Sequence, residues 1–213
     1  MKIAIVILMI TSFLIGCRKD SVISLKKNNQ NKIIALQPLG EYDEQQLALV
    51  RNQVSSFFNI RVLILKPLDI PETFYNRYEQ KYSADSLVGF LSKFGNETIV
   101  QVVGLTHKDI YTLREHKIQL NSKYSVLYEP GSIFGLAYVS ENACVISDYK
   151  LISINKELLY NRLRKVIIHE IGHSLGLPHC SIDSCIMSES NGNISILNKS
   201  GGDYCKKCRM KLN

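Results

Sequence analysis

Short apolar runs closed by proline alternate with stretches of helical period along the first half of this chain. Lys32 to Gln37, ended by Pro38, and Ile60 to Lys66, again closed by a proline, read as strands. Between them, Asp43 with Gln46 resembles a capping box. It opens a predicted helix that shows Leu47, Val50, Val54, Phe57 and Phe58 on one face. Ser83 is placed to cap a second helix carrying Leu87, Leu91 and Phe94, which stops at Gly95-Asn96. Thr98 to Val103 is a β-branched run and predicts a central strand covered on both faces. Residues 105 to 131 mix polar and apolar positions and give no clear period; Pro130-Gly131 marks a turn. Ile133 to Val139 and Ala143 to Ser147 predict shorter strands, and a long helix is expected from about Asn155 to Leu175. Phe57, Phe58, Phe90 and Phe94 recur at helical spacing and are assigned to the core. Strands and helices alternate first and a helix follows last. That order predicts an α/β layered domain with a mostly parallel sheet.

The N-terminus follows different rules. Lys2 precedes an apolar run from Ile3 to Gly16, too short to span a bilayer comfortably and typical of a signal h-region. The run ends in Leu14-Ile15-Gly16-Cys17, which resembles a bacterial lipobox. That resemblance implies cleavage before Cys17 and lipidation of its thiol and new amino group, with enough acyl chains for stable anchoring. The alternative is an uncleaved membrane helix, or an ordinary signal peptide with a chance cysteine. Residues 18 to 31 read as a tether, too short for an inhibitory pro-domain.

At 213 residues the chain can bury one good core, and 46% hydrophobic with 21% charged residues is ordinary for a globular protein. The net charge of +7 is scattered, in short clusters such as Lys26-Lys27 and Arg162/Arg164-Lys165, and reads as a mildly basic solvated surface. Without a basic run interleaved with aromatics, no nucleic-acid partner is expected. A monomer is expected. Neither a glycine-rich phosphate loop nor a Ser/His/Asp arrangement is present.

The chemistry concentrates in His169-Glu170-Ile171-Gly172-His173-Ser174-Leu175-Gly176-Leu177-Pro178-His179, of the form H-E-x-x-H-x-x-G-x-x-H. A helix advances about 100° per residue, so His169 and His173 project from nearly one face and can share a metal ion. Glu170, one step round, lies beside that metal as a candidate base. Gly176 permits a turn that brings back His179 as a third ligand. The fourth position is then left for water, which marks a catalytic zinc site rather than a closed one. His107 and His116 have no partner at ligand spacing and read as ordinary residues.

A second constellation follows at once. Cys180, Cys185, Cys205 and Cys208 form C-x4-C, a gap, then C-x2-C, which suits a closed tetrahedral structural zinc site. Two disulfides are the rival reading, favoured by an address outside the cytoplasm. A bridge across C-x2-C closes a very small loop and is usually redox-active, which favours zinc. Cys180 directly follows His179, and Met187 comes two residues after Cys185, so the cysteine cluster is expected to pin the chain leaving the histidines. Cys144 reads as a buried small hydrophobe, and Tyr204 as packing rather than an oxyanion donor.

The run from His169 through Cys208, with Cys185-Ile186-Met187 inside it, resembles the archaemetzincins, a branch of the metzincin zinc peptidases. The stretch Glu129-Pro130-Gly131-Ser132-Ile133-Phe134-Gly135-Leu136-Ala137 agrees more loosely. The resemblance implies catalytic zinc on His169, His173 and His179, with Glu170 as general base and acid. It implies Met187 in a tight turn beneath the metal and a second zinc on the four cysteines, so two Zn2+ per chain. The fold it implies is an α/β (α+β) metzincin-like twisted five-stranded mixed sheet with an active-site helix and a small C-terminal subdomain. An edge strand near Phe134 to Val139 would pair with an extended peptide substrate. The expected organisation is a signal peptide over 1–16, a lipidated Cys17 and tether over 17–31, a catalytic subdomain over 32–178 and a cysteine-zinc subdomain over 179–213. The expected activity is zinc-dependent hydrolysis of peptides or proteins at the cell envelope, by a protein held to the membrane through Cys17. A zinc-stabilised peptide-binding lipoprotein without turnover is the alternative, and a metal-acquisition protein a third.

Overall fold

The structure, a computed structural model, describes residues 31–120, 123–139 and 141–212. The expected signal sequence, Cys17 and the tether as far as Gln30 lie outside the described residues, as do the side chains of 116–127, His116 among them. In chain order the elements are β1 (Ile33–Leu39), α1 (Glu44–Phe58), β2 (Arg61–Ile64), β3 (Tyr75–Asn76), β4 (Lys81–Ser83), α2 (Ala84–Leu91), β5 (Ile99–Thr106), β6 (Ile110–Leu120) and β7 (Lys123–Ile133). They continue with β8 (Gly135–Ala137), β9 (Ala143–Ser147), α3 (Lys156–Ser174), α4 (Ile194–Lys199) and α5 (Lys206–Lys211). The main sheet is five-stranded, ordered β2-β1-β5-β9-β8. Its first four strands are parallel, and β8 lies antiparallel to β9 at the edge. A smaller sheet, ordered β3-β4-β6-β7, leans against that end.

β1 is buried along its whole length, as a strand covered on both faces must be. It does not stop at Pro38, as the proline had implied. A residue in a parallel strand points its N–H and C=O to the same side. Pro38 accepts a hydrogen bond from the Leu68 N–H (3.0 Å), so its missing N–H falls on that side, beyond Ile64 where β2 has ended. The ladder with β5, where Pro38 faces Leu105, is untouched.

Both predicted caps form: Asp43 accepts from the Gln45 N–H (3.1 Å) and Ser83 from the Ser86 N–H (3.2 Å). Gln46 does not complete a capping box. Its amide turns inward and donates to Asp148 (3.3 Å). Asp148 also lies 2.7 Å from Nδ1 of His107, whose ring stacks on Tyr42 at 3.9 Å. This contact holds the His107 pKa above its usual value, and His107 is not among the residues that line the cleft or cluster with the other described histidines.

The stretch without a legible period is the long hairpin β6–β7. Leu113 and Tyr128 are each 57% exposed, so apolar positions do not alternate cleanly between an inner and an outer face. The expected strand from Ile133 to Val139 divides there. Ile133 ends β7, and β8 turns onto the main sheet.

α3 is capped by Asn155, whose side chain accepts from the Leu158 N–H (3.1 Å). Leu163, Ile167 and Ile171 face the core above the sheet, while Ile168 faces a second cluster with Met187 and Tyr204. Burial on two sides explains the nearly unbroken apolar run of the helix. Lys165, expected on a solvated surface, is buried instead. Its ammonium donates to the carbonyls of Leu197 (3.1 Å), Asn198 (3.3 Å) and Ser200, pinning the C-terminal end of α4 to α3. Burial lowers its pKa. No helix among the described residues is long and apolar enough to cross a membrane.

Candidate metal centre

α3 carries His169 and His173 one turn apart, and their Nε2 atoms lie 3.0 Å from each other. Nδ1 of His169 meets the Ile186 carbonyl at 2.7 Å, and Nδ1 of His173 meets the Leu177 carbonyl at 2.8 Å. A carbonyl only accepts, so each Nδ1 carries its proton and each Nε2 presents a lone pair. Two lone pairs facing at this distance repel unless a proton or cation joins them. Burial, with His173 beside it, pulls the His169 pKa down to about 3, and burial lowers His173 as well. A proton is therefore a poor bridge. A tetrahedral zinc with bonds of 2.0–2.1 Å sets its nitrogens about 3.3 Å apart, close to the spacing found.

The third imidazole arrives through a helix stop that the backbone makes in full. Gly176 takes φ +91°, its N–H donates to the His173 carbonyl (2.9 Å), and the Leu177 N–H donates to Gly172 (2.9 Å). This paired closure is the Schellman motif, which needs a residue free to adopt positive φ. The chain then brings the His179 ring to 4.7 Å from His173 and 5.4 Å from His169, between centroids. One ligand nitrogen from each ring falls within 4.8 Å of the other two. Nδ1 of His179 lies 3.7 Å from Glu189 on the facing wall.

Glu170, one step round the helix from His169, lines the same cleft and packs against Gly135 of β8. Burial raises its carboxyl pKa to about 8. The space it occupies exists because residue 135 has no side chain. A β-carbon there would lie 2.7 Å from Glu170 Cγ and 2.9 Å from Oε1. Gly172 plays the same part beneath the helix, where a β-carbon would lie 2.5 Å from Met187 Sδ. Met187 is fully buried there. Tyr204 donates its hydroxyl to the Ile168 carbonyl (2.9 Å), which commits it to packing beneath α3. A cleft of about 350 Å³ opens above the histidines, with β8 along one wall and residues 188–192 along another.

The four cysteine sulfurs also lie within 4.8 Å of one another. Their close pairs run across the motif: Cys180 with Cys205 and Cys185 with Cys208, both at 3.8 Å. A disulfide needs about 2.05 Å, whereas tetrahedral zinc–sulfur bonds near 2.3 Å set sulfurs about 3.8 Å apart. The backbone N–H of Cys208 pulls the Cys205 thiol down to about 7, while burial pushes Cys185 and Cys208 up. Cys144 is fully buried in β9, its thiol pKa raised by burial. The clusters are joined through backbone. The Cys180 N–H donates to Met187 (2.9 Å), and the carbonyl that orients His169 belongs to Ile186, next to Cys185.

Several participants had no signature in the sequence. The carbonyls of Ile186 and Leu177 carry none by nature. Arg114, which lines the cleft, lies in the stretch without a period, and Gly135 entered only within the stretch that resembles the family loosely.

Residues 47–213 match peptidase family M54. The chain is 30% identical over 180 residues to the archaemetzincin of Methanocaldococcus jannaschii, covering 84% of this chain and 92% of that protein. It is 27% identical to the archaemetzincin of Archaeoglobus fulgidus over 84% of this chain and 98% of that one. The crystal structure of the A. fulgidus protein in complex with malonate superposes with a TM-score of 0.68 over 84% of this chain and 99% of that one, at 27% identity. At 24% identity, the crystal structure of the archaemetzincin of Methanopyrus kandleri shows the same fold. Its TM-score is 0.70 over 85% of this chain and 93% of that one.

Proposed function

The chain belongs to peptidase family M54 and is a zinc metallopeptidase of archaemetzincin type; on that premise we propose that His169, His173 and His179 hold the catalytic zinc and that Glu170 is the general base and acid. The observation that carries this reading is the convergence of the three imidazoles with two of their Nδ1 protons committed to carbonyls. Donors of this kind, at this spacing, fit zinc. Zinc held there supplies Lewis-acid polarisation of the scissile carbonyl and brings the pKa of a water near ~7.

Glu170 does the proton work. A divalent charge beside it offsets its burial and favours the carboxylate form, which accepts a proton from the attacking water. The same carboxyl then returns that proton to the leaving amine. β8 is the last strand of its sheet, and the cleft opens on it, so its unpaired backbone can hold an extended peptide without demanding one side-chain sequence. The four cysteines hold a second, structural zinc that fixes the turn through Ile186 and Met187.

Metal removal tests the whole reading. Chelation is expected to abolish cleavage of a mixed peptide library, and zinc to restore it, with elemental analysis giving two ions per chain. Two ions bound with every peptide left intact would instead support a binding module.

A lipid anchor at Cys17 completes the proposal, on the strength of Leu14-Ile15-Gly16-Cys17 after a short apolar run. Mass spectrometry of the protein made in a bacterium with lipoprotein processing should find residue 17 N-terminal and acylated. An unmodified Cys17 still attached to residue 16 would dismiss it.

A further inference from the structure

Arg114 stands on β6, outside the metal-binding motif, yet it lines the cleft together with Thr112, two residues before it. The intervening Leu113 points to solvent, as alternation along a strand requires. The guanidinium is held in place from two sides. A β-carbon on Gly131 would lie 2.4 Å from its Nε, so the group lies against bare backbone there. A β-carbon on Gly192, across the cleft, would lie 3.6 Å from its Nη2. Nη2 also donates to the Ser132 carbonyl at 3.2 Å. That uses one of five N–H donors in a rigid fork. No ion pair to Arg114 occurs among the described residues, and the carboxylate on the facing wall, Glu189, lies against His179. A half-buried, pre-positioned guanidinium with donors to spare is shaped for a bidentate carboxylate.

Its position along the cleft says which carboxylate. Ser132 lies three residues before Gly135, whose α-carbon faces Glu170, and with the bend at Phe134 between them the two are separated by at most roughly 10 Å. A short peptide added to the open edge of β8 pairs best antiparallel, the more stable arrangement per residue. It then runs opposite to β8, and the part beyond the scissile bond passes over Phe134 and Ser132 towards Arg114. We propose that Arg114 is a specificity-determining residue that receives a substrate carboxylate two or three residues past the scissile bond, on the leaving-group side. The proposal rests on the peptidase reading above. The carboxylate comes from a Glu or Asp side chain or from the C-terminus of a short peptide.

The test uses the zinc-loaded protein and a set of peptides of one sequence. Glu or Gln stands two or three residues past the cleaved bond, and each peptide is made with a free and an amidated C-terminus. The acidic peptide is expected to exceed the neutral one in kcat/KM by roughly 10- to 100-fold, mainly through KM, as for hydrogen bonds to a charged group. In Arg114→Gln that ratio falls to about one, and Arg114→Lys recovers part of it. A preference that follows the side chain or one that follows the free terminus identifies the source. A ratio near one in the wild type overturns the proposal. So does an unchanged ratio in Arg114→Gln, the result if Arg114 merely braces Ser132 and both peptides suffer alike. Equilibrium binding of the same peptides to the Glu170→Gln protein, with and without Arg114→Gln, reads the contact without turnover. An Arg114-dependent acidic preference there survives even if no peptide is ever cut.

Discussion

Glu170→Gln is expected to lose roughly 10²- to 10⁴-fold in kcat for peptide cleavage, the range for a general acid–base group, with catalytic zinc retained at the wild-type level. Glutamine keeps the shape of the side chain and fits the space left by Gly135, but it cannot accept the proton from water or return it to the amine. The three ligand nitrogens belong to other residues, so metal content should not change. A second readout separates the charge from the chemistry. In the metal-free protein, burial raises the Glu170 pKa to about 8, from about 4.5 when exposed. The folded state then holds a proton that the unfolded chain has released, so stability falls as pH rises from the lower value to the higher. His169 and His173, lowered by burial, act in the opposite sense below their ordinary pKa. Comparing metal-free wild type with metal-free Glu170→Gln cancels that contribution. The variant should therefore gain relative stability between pH 5 and 8 in thermal melts. Near-normal turnover in a zinc-replete variant would falsify the assignment of Glu170 as the base.

Replacing both Cys205 and Cys208 by serine carries the second large effect. Elemental analysis should find one ion per chain at saturating zinc in place of two. Metal binding is folding energy where the ligands come together only in the folded state, on the order of 10 kcal/mol in small zinc domains. In this larger chain, α5 and the turn above it are expected to loosen at a cost of several kcal/mol, a fraction of that figure. The consequence at the other site is the sharper test. Cys185 loses its partner Cys208, and the next carbonyl along from Cys185, that of Ile186, is the one that fixes the His169 tautomer. Loss of such a supporting contact typically weakens metal affinity about 10- to 100-fold. Competition with a zinc-binding dye measures it directly. A folded double variant that holds its remaining zinc as tightly as the wild type would show the two clusters to be independent.

Legibility differed sharply between elements. The caps Asp43 and Ser83 were readable because a cap is a bond between a side chain and backbone two or three residues away. β9 was readable end to end, from Ala143 to Ser147, because all five of its residues are buried and nothing polar interrupts them. Pro38 misled because its effect depends on where the neighbouring strand ends, which its own surroundings do not encode. The β6–β7 hairpin stayed hidden because its faces are not cleanly divided between core and water. Lys165 read as one of a solvated cluster, yet it caps a helix some thirty residues later. Arg114 went unread for the same reason: its role comes from Ser132 and Gly192, both distant in the chain.

The sequence alone determined which side chains converge at the candidate metal centre. A step of four residues from one histidine to the next on a helix fixes their angle, and a glycine three residues on fixes the turn, so the convergence of His169, His173 and His179 needed no distant information. Only the tertiary structure decided how those rings are oriented, where Glu170 is buried and which cysteine faces which. Those outcomes depend on the Ile186 and Leu177 carbonyls, the bare α-carbon of Gly135 and the packing of Cys185 against Cys208. Most of these partners come from other parts of the chain, and contacts between distant segments arise from packing the whole core, which no local period records.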